Sequence, residues 1–132
     1  NTMANTGLGT DYTTGDVILK QGDVTGDLHV IQQGKVEIVH DRDGTEVRLT
    51  TLGPTDFFGE IPFFERVKEP GVARGTVRAL ESTRVLTVDR KTIVRRIHED
   101  PSLAYKIMET MSRRVRELET EMVRLLTDPG GD

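Results

Sequence analysis

The sequence predicts a mainly β domain, an antiparallel sandwich or roll, with its helices gathered towards the C-terminal end. Three observations carry this. Short runs rich in β-branched residues recur from Gly15 to Val88, several of them alternating at period two. Turn signals, rather than helical segments, separate these runs. After Val88 the apolar period becomes helical.

The elements follow in order. Residues 1–12, "NTMANTGLGTDY", are polar and glycine-spotted and read as a loosely held arm. The roll is expected over 13–97. Its strands are "DVILK", "LHVIQQG", "KVEIVH", "EVRLTTLG", "GTVRALES" and "TRVLTVDR", punctuated by "QGD", "TGD", "QQG", "DRDG" and "LGPTD". "DRDG", Asp41 to Gly44, lies between two alternating runs and should turn a hairpin with Gly44 at positive φ. "DRKTIVRRIHED" reads as a short helix stopped by Pro101, because the residue before a proline avoids helical geometry. Pro101 and Ser102 then open a long helix, the C-terminal helix of a segment spanning 98–126, and 127–132 form a tail. Along that helix Leu103, Ile107, Met111, Val115, Leu118, Met122 and Leu125 make one apolar stripe, spaced at four and then alternating with three. A helix of this length reaches roughly 39 Å, longer than a roll of this size can cover, so part of the stripe calls for a partner helix or a second copy.

Composition excludes several function classes. The 132 residues suffice for one domain with a core of its own. There is no cysteine, hence no disulfide framework and no thiolate metal site. His29, His40 and His98 fall in separate elements without metal-ligand spacing, so no metal is expected. No nucleophile elbow or phosphate-binding P-loop occurs, and no catalytic residue is assigned. The net charge is −4, and the cations of "RKTIVRR" and "SRRVREL" are followed closely by acids. This segment therefore does not present a nucleic-acid surface. No apolar run is long enough to cross a membrane, and a cytoplasmic location is expected.

Four stretches in this order resemble the cyclic nucleotide-binding domain family, whose members include catabolite activator-like regulators and kinase regulatory subunits. They are "GDVILKQGDVTGDLHVIQQGKVEIV", "LGPTDFFGE", "VRALESTRVLTVDRKTI" and "DPSLAYKIMETMSRRVRELE". Gly22 and Gly34 stand in the family's register, while His29 takes a position usually held by an aromatic. The resemblance implies a jelly-roll-like β-roll, a phosphate-binding cassette at 57–77, and a short helix before a long lid or dimerisation helix.

It also implies a site for a cyclic mononucleotide: cAMP, cGMP or another, as ligand and not as cofactor. Such a ligand needs backbone N–H donors at a tight turn, one guanidinium, and an acceptor for its ribose 2′-hydroxyl. The residues that match are Phe58, Gly59, Glu60, Ile61, Arg74, Gly75 and Thr76. Glu60 would take the ribose, and Arg74 the phosphate. Phe57, Phe58, Phe63 and Phe64 would anchor the cassette's helix in the interior. Met111, Val115 and Leu118 would form an apolar lid. The family's adenine-contacting positions fall at Leu118 and Glu119, so no preference for adenine is implied.

Two departures stand out. The family's arginine precedes by four the valine equivalent to Val77; here that position is Ala73, with Arg74 beside it. If strand geometry has begun at Ala73, Arg74 faces away from the phosphate unless a bulge at Gly71 or Gly75 shifts the register. Pro62 follows Glu60 by two and lacks the N–H that some members offer the phosphate. Two functions are therefore expected in competition. One is a non-enzymatic sensor that passes a conformational change through its C-terminal helices to a homodimer partner or an output domain. The other is a degenerate roll kept as an interaction or dimerisation module without nucleotide.

Overall fold

The computed structural model describes residues 9–65 and 71–127; most of the expected arm and tail, and residues 66–70 of the expected cassette, lie outside them. The strands are β1 (Thr10–Tyr12), β2 (Val17–Leu19), β3 (Leu28–Gln33), β4 (Val36–Arg42), β5 (Thr45–Leu52), β6 (Phe57–Phe58), β7 (Thr76–Ala79) and β8 (Thr83–Val88). Helix α1 spans Glu60–Phe64, α2 Arg90–Glu99 and α3 Ser102–Thr127. The chain divides after Ile93 into two compact units.

The first unit is two four-stranded antiparallel sheets, in the orders β1-β8-β3-β6 and β2-β7-β4-β5. Each sheet contributes to one core: Ile31, Phe58 and Val85 from the first, Val36, Leu52 and Val77 from the second. This is the mainly β roll with C-terminal helices that the alternating runs predict. The hairpin falls where expected. Arg42 pairs with Thr45, leaving Asp43 (φ 54°) and Gly44 (φ 88°) as a two-residue turn of the mirror-image type that matches strand twist. Thr10–Tyr12 lie in the stretch read as an arm, yet they pair with Thr83–Val85 of β8, and Arg84 bonds Asp11 at 3.0 Å.

Two local features set up the site. The Gly53–Asp56 turn is closed by the Asp56 N–H on the Gly53 carbonyl (3.0 Å). Its third residue, Thr55, sits at φ 75°, where glycine is the usual occupant. Thr55 N–H to the Ile31 carbonyl and Ile31 N–H to the Asp56 carbonyl, each 2.9 Å, lock this strained turn against β3 and deliver Phe57 and Phe58 into the core. On the outer face of the second sheet, Glu37 accepts from Arg48 and Arg78, and Arg78 also reaches Glu46. The Arg48 hydrogen bond, aided by Arg78, holds the Glu37 carboxyl below its ordinary range.

The second unit contains most of α2 and all of α3. Asp100 opens α3: its carboxylate accepts the Ser102 N–H (3.2 Å) and hydroxyl (2.6 Å). These bonds keep the Asp100 carboxyl below its usual value. The predicted apolar stripe lies on this one continuous helix, with Val115, Leu118, Met122 and Leu125 exposed.

Candidate ligand-binding site

Across the β3–β6 pairing, His29 stands opposite Phe58 and Val30 opposite Phe57. Phe58 is 1% exposed, and the His29 ring stacks on it at 4.9 Å between centroids with 14° between planes. The chain then turns at Gly59, φ 81° and ψ 10°, into α1. Glycine is required there twice over. Its φ is left-handed, and a Cβ would stand 2.9 Å from His29 Cδ2 and 3.1 Å from the Asp27 carbonyl oxygen. Glu60, half-buried, places its acid in the first turn of α1, the end that favours negative charge.

Helix α1 is one turn and a little more, held by Phe63 N–H to the Gly59 carbonyl (3.1 Å) and Glu65 N–H to the Ile61 carbonyl (2.9 Å). Of the four phenylalanines expected to anchor it, Phe57, Phe58 and Phe63 are buried. Phe64 is not. Successive helical positions are turned about 100° apart, so a single turn that buries Phe63 sends Phe64 outward, and its ring rests edge-on against Phe63 at 4.9 Å. Ile61 is exposed as well.

The second half of the site arrives on Gly71–Thr76. Pro62 covers Gly71 so closely that a Cβ on Gly71 would lie 2.4 Å from the proline Cβ. Thr25 N–H bonds the Gly71 carbonyl (3.0 Å), Ala73 N–H the Asp23 carbonyl (2.8 Å), and Gly22 N–H the Ala73 carbonyl (2.8 Å). Strand pairing has therefore begun at Ala73, which is 5% exposed. Arg74 falls on the other side. Its side chain is 66% exposed, with Nη2 3.6 Å from Glu65 Oε1, and its carbonyl accepts from His40 Nδ1 at 3.0 Å. Register shifts do occur in this sheet, but on other strands: Leu49 is the extra residue of β5 opposite Ile38 and Val39, and Ile18 that of β2 opposite Val77 and Arg78. Gly75 lies against β4, where a Cβ would meet the Val39 carbonyl at 2.8 Å. Thr76 Oγ1 accepts the Gln21 N–H at 3.0 Å.

Thus Phe58, Gly59, Glu60 and Ile61 form one continuous turn, and Arg74, Gly75 and Thr76 one continuous strand entry. Arg74 pairs with Glu65, the C-cap of α1. Met111, Val115 and Leu118 lie on α3, in the second unit. Among the described residues no cluster of His, Cys, Asp or Glu could hold a metal ion, and no helix is long and apolar enough to cross a membrane.

Two residues gain weight that the sequence did not give them. Arg90 reaches α1 from the start of α2: its guanidinium donates to the Phe63 carbonyl and lies 4.9 Å from the Phe63 ring centre. His29 is half-buried; its Nδ1 bonds Thr87 Oγ1 at 3.1 Å, while its buried Nε2 has no hydrogen-bond partner among the described residues. Burial pushes its pKa below the ordinary 6.5, only partly offset by the charge of Asp27. The folded form thus binds its proton less readily than the unfolded chain. Stability from this group is complete above about pH 6.5 and declines as pH falls from there through the lower folded value. Urea midpoints measured between pH 7.5 and 5 should therefore fall further for the native chain than for His29→Phe. Parallel decline in both would assign the acid sensitivity elsewhere.

The model for the cyclic nucleotide-binding domain matches residues 10–100, so the chain belongs to that family. It is 28% identical over 123 residues to the CRP-like cAMP-activated global transcriptional regulator of Mycobacterium tuberculosis, covering 92% of this chain and 53% of that one. It is 33% identical to the cGMP-dependent protein kinase of Plasmodium berghei, over 90% of this chain and 13% of the kinase. The crystal structure of the Thermus thermophilus catabolite activator protein superposes with a TM-score of 0.72 at 29% identity, covering 88% of this chain and 53% of that one. The chain spans about half the length of the bacterial regulators it matches.

Proposed function

We propose that this domain is a non-enzymatic, cytoplasmic sensor that binds a cyclic mononucleotide at the Gly59–Glu60 turn and passes the change on through α2 and α3. The observation that carries the reading is the turn itself. A left-handed glycine on a buried phenylalanine opens a short helix whose first residue is a half-buried glutamate, as a ribose-and-phosphate lip requires. cAMP and cGMP are the first candidates, since relatives on both sides of that choice carry those nucleotides in their names. Arg74 would leave Glu65 for the phosphate. An exposed ion pair contributes only about 0–1 kcal/mol, whereas a hydrogen bond to a charged group contributes about 1.5–3 kcal/mol, so the exchange favours the ligand. The exposed stripe of α3 would then meet a second copy or an output domain. Direct contact with nucleic acid or membrane by this segment is not part of the reading.

One observation favours the second reading, an interaction or dimerisation module without nucleotide. Ala73 occupies the inward position, and Arg74 starts from the outward one. Calorimetric titration separates the two. On the sensor reading at least one cyclic mononucleotide binds below millimolar concentration, and Arg74→Ala weakens it about tenfold or more. If none binds, the module reading stands. Unchanged affinity in Arg74→Ala would put the phosphate partner elsewhere.

A further inference from the structure

We infer that Arg90 is a positioning residue: it holds α1, and with it the Gly59–Glu60 turn, in register with the first turn of α2. For its effect on binding this rests on the nucleotide reading above; its effect on α1 does not.

A helix shorter than about 12–15 residues is marginal in water by itself, and α1 has five. Its own ends supply little. The N-cap glycine offers no side-chain hydrogen bond, and no basic residue stands in its last turn. Carbonyls at a helix C-terminus call for donors from outside the helix and carry partial negative charge. Arg90 meets both needs from 27 residues away, with a guanidinium N–H on the Phe63 carbonyl and its cation over the Phe63 ring. Phe63 is 1% exposed, so the clamp grips the one side chain of α1 that is fixed in the core.

The other end of the clamp is also seated. Arg90 lies between two buried residues, Val88 and Ile93. Asp89 caps α2, its carboxylate accepting the Thr92 N–H (2.8 Å) and its carbonyl the Ile93 N–H (3.1 Å). Two short segments, neither of which fixes the other through sequence, thus share one guanidinium. Lysine would keep a charge but not the rigid fork that serves carbonyl and ring together.

Amide hydrogen exchange on the ligand-free domain tests this, comparing the native chain with Arg90→Lys and Arg90→Met, alongside titration with cAMP and cGMP. In Arg90→Met the Phe63 and Glu65 amides should exchange about tenfold faster, and Arg90→Lys should fall between, while ladder amides of β3 and β8 keep their rates. Cyclic nucleotide affinity should fall in the same order. Unchanged α1 exchange, or equal acceleration of α1 and the ladder, overturns the inference. Should Arg90→Met not fold, Arg90→Lys carries the same comparison of α1 against ladder. If the native chain binds neither nucleotide, the sensor reading loses these two ligands, and the exchange rates still decide the role of Arg90.

Discussion

Gly34→Ala is expected to destabilise the roll by about 3–5 kcal/mol, a large share of the 5–15 kcal/mol typical of a domain. Gly34 lies at φ 97°, and a Cβ there would stand 2.3 Å from the Ser82 carbonyl oxygen and 2.4 Å from Thr83 Oγ1. Neither neighbour can give way cheaply. Thr83 is the buried polar residue beneath the turn; its hydroxyl oxygen accepts the Lys35 N–H (3.2 Å), and its proton goes to the Glu81 carbonyl (2.7 Å). The Leu80 N–H bonds the Lys35 carbonyl at 2.8 Å. Here the β3–β4 and β7–β8 turns touch, and each joins one sheet to the other. A methyl group wedged between them therefore strains both crossings. Gly44→Ala provides the control. Its φ of 88° is equally left-handed, but nothing lies within 4 Å of the added Cβ, so only the backbone cost of about 1–2 kcal/mol applies. Urea unfolding of both variants measures the difference; equal losses would show that the contact at Ser82 and Thr83 yields.

What could be read beforehand follows from the range of the interactions. The six β-branched runs contain strands, and Asp43-Gly44 is a hairpin turn, because β-branched composition, period-two alternation and left-handed preference are local properties. The C-terminal stripe likewise needs only its own spacing to be a helix. Thr10–Tyr12 gave no such signal. Their strand exists because β8 offers an edge and Arg84 a partner for Asp11. The same holds for the direction of Arg74. It depends on the pairing of Gly71–Ala73 with Gly22–Thr25, some fifty residues earlier, for which neither stretch carries strand composition. The turn Phe58–Ile61 was legible through the resemblance carried by "LGPTDFFGE", and a left-handed glycine is the local part of it. Arg90 was not, since nothing near it in the chain points to Phe63.

That long-range dependence makes Phe58 the residue on which the site is most exposed to damage. Phe58→Ala should cost about 3–5 kcal/mol, the usual range for a buried phenylalanine truncated to alanine. Strand β6 has only two residues, and Phe58 fills the core from one of them. The truncation also removes the ring on which His29 lies. With its stacked face opened to water, His29 loses the burial that holds its pKa below 6.5, and the value should move back towards 6.5. The two effects have opposite consequences with pH. At neutral pH the cavity dominates and the variant is far less stable. Below about pH 6.5 the native chain is penalised for a reluctant histidine while the variant is not, so the gap between them narrows. Imidazole titration followed by NMR reads the histidine directly, and urea midpoints at pH 7.5 and 5.5 read the gap. If the alanine variant does not fold, Phe58→Leu keeps most of the volume but removes the stacked ring, and the same upward movement of the His29 pKa is expected. A His29 pKa unmoved by either substitution would mean that its burial is enforced from the Thr87 side, and that the stack on Phe58 is incidental to the turn it precedes.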